Sequence, residues 1–329
     1  MSGDWTGWLD PTPVDEINGH WYKREDLFAP FGPGGINGSK LRQLVWLIAG
    51  AVEAGATSVV TGASVHSPQL SMTSTVAREF GLPVDIVIGG TTPDSALRHS
   101  NVRIAVTAGA QMLIERVGYN PQLQRRVAAE AIKPDRFEVT YGISTRRNPE
   151  PADVAAFHSV GAAQTDMLPP VSTLVVPSGS ANSTTSILYG LTQHRPPTLD
   201  RVVLVGIGPN KANWIEDRLA AITEHDGTDF DSTFTRHYRH PHDLIAGHGP
   251  IAVEHYDLHT RGIVKYGTLV PWSEDGINFH PNYEGKVLRW LTTPEGREVV
   301  PGWTARDSTA CVWIVGSDPS ARHMEAALQ

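Results

Sequence analysis

Short apolar runs alternate with helical stretches along this 329-residue chain, and that alternation narrows its possible folds more than any other feature. Thr57-Ser58-Val59-Val60-Thr61-Gly62, Val84-Asp85-Ile86-Val87-Ile88-Gly89 and Gln111-Met112-Leu113-Ile114 read as buried strands, with helices over 69–80 and 95–108 between them. The same pattern returns at Thr173-Leu174-Val175-Val176, Val202-Val203-Leu204-Val205-Gly206 and Val312-Trp313-Ile314-Val315, with helical periodicity near 182–193, 211–223 and 283–293. Apolar strands separated by helices predict parallel sheets covered on both faces. Residues 143–152, with Arg146-Arg147-Asn148-Pro149-Glu150-Pro151, break the pattern and mark an expected crossing between lobes. A second irregular stretch is expected from about 225 to 260. The length suits two domains or one large α/β unit.

Composition excludes several classes. Hydrophobic residues make up 40% of the chain, which also holds 31 Gly and 24 Pro, as in a loop-rich globular enzyme. Met1-Ser2-Gly3-Asp4-Trp5 lacks a charged-then-apolar leader pattern. No apolar run reaches the roughly 18 to 20 residues of a membrane span, so a cytoplasmic location and no membrane partner are expected. A formal charge of −8 without a long basic block argues against nonspecific nucleic-acid binding as the main activity. The single cysteine, Cys311, rules out an intrachain disulfide and reads as a buried strand residue. Seven histidines fall between His225 and His259, including His240-Pro241-His242, yet no cysteine or regular His-x-x-x-His spacing accompanies them, and no metal site is assigned.

Three segments carry chemistry. In Gly34-Gly35-Ile36-Asn37-Gly38-Ser39-Lys40-Leu41-Arg42, Lys40 stands at the mouth of a helix. A desolvated lysine there is a Schiff-base candidate, while the same letters also spell an ordinary capped helix with an exposed lysine. Val176-Pro177-Ser178-Gly179-Ser180-Ala181-Asn182-Ser183-Thr184 follows a strand and opens a helix. Its N–H groups suit a phosphate, and a Ser/Asn-capped turn is the plainer alternative. Neither this turn nor Gly206-Ile207-Gly208-Pro209-Asn210 holds the full Gly-x-Gly-x-x-Gly dinucleotide pattern, and a Walker A loop is absent. Finally, Tyr266 and the run His280-Pro281-Asn282-Tyr283-Glu284-Gly285-Lys286 offer phenols and a carboxylate for acid/base work, or a surface tyrosine and a first-turn glutamate.

Taken in order, from Thr12-Pro13 through Tyr22-Lys23-Arg24-Glu25-Asp26-Leu27 to Pro319, these segments resemble the pyridoxal phosphate (PLP) enzymes of fold type II. The likeness is to the group of 1-aminocyclopropane-1-carboxylate (ACC) deaminases and D-cysteine desulfhydrases. The resemblance implies a tryptophan synthase β-like α/β fold of two open parallel-sheet, three-layer domains with the cofactor in the cleft. Residues 1–48 and 160–329 would form the large cofactor-binding domain and 49–159 the small one. It implies Lys40 as the Schiff-base residue, Gly179, Ser180, Ala181, Asn182 and Ser183 as the phosphate cup, and Glu284 as the partner of the pyridine nitrogen. Ser67 and Gln69 would bind the substrate carboxylate, Tyr283 and Tyr266 would be catalytic, and the assembly would be a homodimer.

Departures accompany the likeness. Ser39 replaces the asparagine usual beside the lysine, and Pro68 replaces one expected beside the cofactor. Proline brings neither an N–H nor a side-chain hydrogen bond. Ala181 and Asn182 stand where glycines are usual, and Val315 stands where hydroxyl-bearing members have threonine. Glu284 and Val315 lean toward the deaminase side. A lyase or deaminase of a small amino acid is the leading expectation. The alternatives are a related enzyme acting on an amino-acid group attached to a larger molecule, such as a modified nucleotide or DNA base, and a turnover-free binding protein of the same fold. A simple nucleotide-binding domain is a further one, against which the missing glycine fingerprints count.

Overall fold

The computed structural model describes residues 10–31, 36–146, 148–238, 245–304 and 308–316. Met1–Trp5, Gly34-Gly35, Arg147, His240, His242 and Ser317-Asp318-Pro319 lie outside the described residues. The chain divides into two compact units, one drawn from Ala29–Pro149 and the other from Thr6–Phe28 with Glu150–Asp318. In this division residues 29–48 belong with the smaller sheet.

An antiparallel hairpin of β1 (Val14–Ile17) and β2 (His20–Arg24) opens the second unit. The Lys-Arg-Glu-Asp segment that ends it is a buried strap. Lys23 donates to the Thr12 carbonyl and lies 4.0 Å from Glu25, which accepts from the Thr12 hydroxyl. Arg24 pairs with Asp15 at 2.5 Å and Asp26 at 2.8 Å. Charges this deep persist only when paired, so the motif fixes the hairpin instead of facing solvent.

The first unit runs α1 (Lys40–Glu53), β3 (Ser58–Gly62), α2 (Pro68–Glu79), β4 (Val84–Gly89), α3 (Pro93–Ala96), α4 (Ser100–Thr107), β5 (Gln111–Glu115), α5 (Asn120–Ala131) and β6 (Arg136–Val139). Its four strands are all parallel, in the order β5-β4-β3-β6. Val59, Val60, Ile86, Val87 and Ile88 are fully buried, as the continuous apolar runs require. The helix expected over 95–108 is two helices. Thr92 caps α3 and Pro93 occupies its first turn, and the extended backbone of His99 (φ −91°, ψ 128°) then restarts the chain into α4. At the end of β4, a Cβ on Gly89 would stand 2.5 Å from the Val117 carbonyl oxygen, so only glycine permits that approach.

The second unit continues with α6 (Pro151–Ala162), β7 (Thr173–Ser178), α7 (Asn182–Gln193), β8 (Arg201–Gly206), α8 (Ala212–Asp226), α9 (Phe230–Thr233), β9 (Phe234–Tyr238), β10 (Ile245–Ala246) and β11 (Ile251–Asp257). A short hairpin of β12 (Trp272–Glu274) and β13 (Ile277–Phe279) follows, then α10 (Glu284–Leu291), α11 (Pro294–Val299) and β14 (Ala310–Ile314). The main sheet orders β1-β2-β14-β7-β8-β11-β9-β10, parallel from β2 to β9 with antiparallel strands at both edges. Alternate residues feed two cores: Leu174, Val176, Val202 and Leu204 pack on one face, and Val175, Val203, Val205 and Val312 on the other. Cys311 lies fully buried in β14, where burial pushes its thiol up to about 12. The stretch expected to be irregular, 225–260, holds the interior strand β11 and its neighbour β9. Glu254 and His255 interrupt the apolar letters of β11, which hid it. Among the described residues, no helix is long and apolar enough to cross a membrane.

Candidate active site

In the first unit, Lys40 is the first residue of α1. Ser39 precedes it in helical conformation (φ −55°, ψ −34°) and makes no side-chain cap bond, so the plain capped-helix reading of Gly-Ser-Lys is not what forms. Lys40 is partly exposed at its surface, yet desolvation lowers its pKa to about 8. Burial disfavours the ammonium, leaving a sizeable share of neutral amine near pH 8, the form that attacks a carbonyl.

Ser67 caps α2 by accepting from the Gln69 N–H at 3.3 Å, with Pro68 in the first turn. Gln69 is buried and both ends of its amide are committed: Nε2 donates to Thr61 Oγ1 at 2.8 Å and to the Thr140 carbonyl at 3.0 Å, while Oε1 accepts from the Gly142 N–H at 2.8 Å. It thus braces the turn after β6, where buried Ile143 is held at φ 57°. Ser71 donates to Asn101 Oδ1 at 2.8 Å, and Asn101 donates to the His66 carbonyl at 3.1 Å. His66 and His99 meet edge to face at 4.5 Å. The bracing partners Thr61, Thr140 and Gly142 carried no signal in the sequence, because none belongs to a motif.

The second unit gathers the remaining candidates at three strand ends. Gly179 and Ser180 follow β7, Ala181 is the N-cap of α7 in left-handed conformation (φ 68°, ψ 1°), and Asn182 and Ser183 open that helix. No side chain caps this N-terminus. A Cβ on Gly179 would lie 3.1 Å from Tyr283 Cε1, so the glycine lets the tyrosine ring against the turn. Tyr283 and Tyr266 bring their hydroxyls to 3.3 Å, and burial raises the Tyr266 phenol. Lys286, in the first turn of α10, donates to the Lys265 and Tyr266 carbonyls at 3.0 and 2.9 Å, with its ammonium 5.5 Å from the Tyr266 ring centre. Lys286 closes the motif His280–Lys286, where its letter alone carries no signal of this contact.

Glu284 is fully buried. Its Oε1 accepts from the Val315 N–H at 2.7 Å, and its Oε2 is buried without a hydrogen-bond partner. Burial raises the carboxyl to about 8, with the Asp26 charge adding to the rise against backbone N–H groups that oppose it. An orphaned buried carboxyl oxygen calls for a partner that can share a proton with it, and a pyridine nitrogen meets that need. The uncapped turn of α7 meets the matching need of a phosphate. The residues present therefore fit PLP. Among the described residues, no group of three or more His, Cys, Asp or Glu side chains could hold a metal.

No protein-family model matches the chain. Individual relatives do. An O-seryl-dTMP PLP-dependent decarboxylase of Salmonella phage ViI is 34% identical, over 93% of this chain and 80% of the relative. The D-cysteine desulfhydrase of Yersinia enterocolitica is 25% identical over 82% of this chain and 79% of its own. Among solved structures, an ACC deaminase homologue superposes with a TM-score of 0.67 at 19% identity, covering 97% of this chain and 93% of that one. The Escherichia coli diaminopropionate ammonia lyase gives 0.57 at 13% identity, covering 100% and 87%. The likeness to these two structures shows an α/β fold shared with PLP enzymes. The 34% identity, which runs through both units, places the chain in the ACC deaminase and D-cysteine desulfhydrase family of PLP-dependent enzymes, the lyases and deaminases of small amino acids.

Proposed function

We propose that this enzyme is a PLP-dependent decarboxylase whose substrate is a seryl-type amino-acid group carried through oxygen on a thymidine nucleotide. The observation that carries this reading is the likeness to the phage ViI decarboxylase over nearly the whole chain. The fold type II architecture, with 1–48 and 160–329 as the cofactor-binding domain and 49–159 as the small domain, belongs to the same reading, as does a homodimer.

When bound, PLP supplies an electron sink for the pair left behind as a bond to the substrate's α-carbon breaks. Lys40 is the residue that would hold the cofactor, through the neutral amine that desolvation favours. Gly179, Ser180, Ala181, Asn182 and Ser183 would hold its phosphate at the α7 N-terminus. Glu284 would keep a proton at the ring nitrogen, its raised pKa matching it to share one. The Tyr266 and Tyr283 hydroxyls, 3.3 Å apart, can pass a proton to or from the substrate. Ser67 would orient the substrate's carboxylate, and Gln69 would support that role by holding the neighbouring turn.

A second reading, turnover of a free small amino acid in the manner of a deaminase, is favoured by the buried carboxyl of Glu284 opposite Val315. One experiment separates the two. Purified enzyme with PLP is expected to show a visible absorption band that Lys40→Ala abolishes, and to release carbon dioxide from an O-seryl thymidine nucleotide, with the aminoethyl product seen by mass spectrometry. Ammonia or sulfide from ACC or D-cysteine, with no carbon dioxide from the nucleotide, would establish the second reading instead.

A further inference from the structure

The turn that leads into α2 offers an anion few donors. The N–H groups of its first residues are all committed or missing. The His66 N–H donates to Ser64 Oγ at 3.4 Å and the Ser67 N–H to the Ser64 carbonyl at 2.8 Å. Pro68 has no N–H, and the Gln69 and Leu70 N–H groups donate to Ser67 Oγ and the Ser67 carbonyl, each at 3.3 Å. The side-chain amide of Gln69 is spent on Thr61, Thr140 and Gly142. Of the donors on Ser67, Pro68, Gln69 and Leu70, the Ser67 hydroxyl proton alone is uncommitted. The α7 N-terminus, by contrast, has no side-chain cap.

We propose that Pro68 selects the reaction: by withholding an N–H donor at an α2 N-terminus whose other N–H groups are committed, it leaves the substrate carboxylate weakly held, so that the carboxylate is the group that departs. The inference rests on the seryl-nucleotide reading above. A carboxylate gripped by several N–H groups is stabilised in the ground state, and that stabilisation is lost as it becomes neutral carbon dioxide, so a firm grip opposes decarboxylation. In the favoured course the Cα–carboxylate bond breaks, carbon dioxide leaves, its bonding pair stays on Cα, and one proton returns to Cα to give the aminoethyl ether. For an oxygen-substituted serine the rival course is destructive. If Cα loses its proton instead, the pair expels the oxygen at Cβ, the nucleotide leaves with its hydroxyl, and water converts the remaining three-carbon fragment to pyruvate and ammonia.

Pro68→Ala adds one N–H at a helix position whose N–H has no intrahelical acceptor, and Pro68→Asn adds a side-chain amide as well. Two measurements on the PLP-loaded enzyme test the proposal, with circular dichroism verifying that each variant is folded. The first is the ratio of carbon dioxide to pyruvate from the O-seryl nucleotide, expected to fall about tenfold in the variants. The second is the calorimetric affinity for two unreactive probes, the N-acetyl seryl nucleotide and its carboxylate-free counterpart. One added hydrogen bond to a charge predicts that the carboxylate probe alone binds about tenfold tighter to the variants. An unchanged product ratio in folded variants overturns the proposal, whatever the affinities do. If the wild type releases no carbon dioxide, the seryl-nucleotide reading fails, while the probe affinities still report whether Pro68 limits the grip.

Discussion

Replacing Gln69 by Leu separates a structural brace from a substrate-binding residue. Leucine keeps much of the volume and removes the amide. It removes the acceptor of the Gly142 N–H, bonded at 2.8 Å, and one of two donors to the Thr140 carbonyl, which keeps the Ile143 N–H at 3.1 Å, and leaves the Thr61 hydroxyl its 3.0 Å bond with the Val139 carbonyl. Loss of the acceptor of one buried N–H predicts a loss of about 1 to 3 kcal/mol. The turn these bonds hold contains Ile143 at φ 57°, a left-handed conformation that disfavours a β-branched residue by about 1 to 2 kcal/mol. Without the brace, that strain is relieved by opening. Urea unfolding should therefore shift to lower midpoint, and amide exchange over 140–146 should lose protection before the strands do. Gln69→Glu, at a pH where its carboxyl is protonated, keeps an acceptor for Gly142 and one of the donors, so its stability should fall between wild type and Gln69→Leu. A variant within 0.5 kcal/mol (an approximate surface-substitution effect) with unaltered exchange over 140–146 would refute the brace.

Three further outcomes follow from the second unit. Glu284 has a folded pKa raised to about 8, above its unfolded value near 4.3, so the folded apoprotein binds the extra proton between those values and its stability falls as pH rises through that window. Glu284→Gln should remove this slope in urea titrations of cofactor-free protein. Gly179→Ala places a methyl 3.1 Å from Tyr283 Cε1, and the forced shift of ring or turn should weaken PLP binding about tenfold, read by loss of the visible band on dilution. Lys286→Met removes the donor to the Tyr266 carbonyl, while the Lys265 carbonyl keeps the Thr268 N–H at 3.1 Å, and should cost about 1 to 3 kcal/mol of stability in urea, with a lower turnover number as Tyr266 loosens.

The helices over 69–80 and 182–193 and the strand at 84–89 were legible to within a residue, because each is bounded by a proline, a serine-rich turn or a glycine and carries uninterrupted apolar periodicity. β11 was not, since Glu254 and His255 are polar letters in an interior strand: Glu254 is satisfied by Arg201 at 2.5 Å and His255 sits against Gly206, contacts that only the sheet register creates. The chemistry of the site divided in the same way. Lys40, Tyr283 and Glu284 stood out as residue types in motifs. The fate of the Gln69 amide was hidden, because its partners come from β3 and from the turn after β6, far along the chain. In the Lys-Arg-Glu-Asp segment, resemblance marked the residues, and only the fold reveals that they clamp a hairpin.

Ala181 shows how a departure in letters can still take a glycine-like backbone. With alanine where glycine is usual, the phosphate turn reads as altered in its approach to an anion. The structure puts Ala181 at φ 68°, ψ 1°, the conformation for which glycine is ordinarily required. A left-handed residue directly ahead of a helix turns consecutive N–H groups toward one point, which is the geometry of an anion nest. The methyl costs about 1 to 2 kcal/mol in that conformation. Its neighbours hold it there all the same: Ala181 is buried in the core beneath β7 and β8, and its carbonyl accepts from the Thr185 N–H at 2.9 Å and the Thr185 hydroxyl at 3.1 Å. Strain retained at a turn that the packing could have avoided by glycine marks a backbone shape the fold depends on. The alanine therefore adopts, at a steric cost, the conformation for which glycine is ordinarily required, and the N–H groups that follow it are the ones proposed to hold a phosphate.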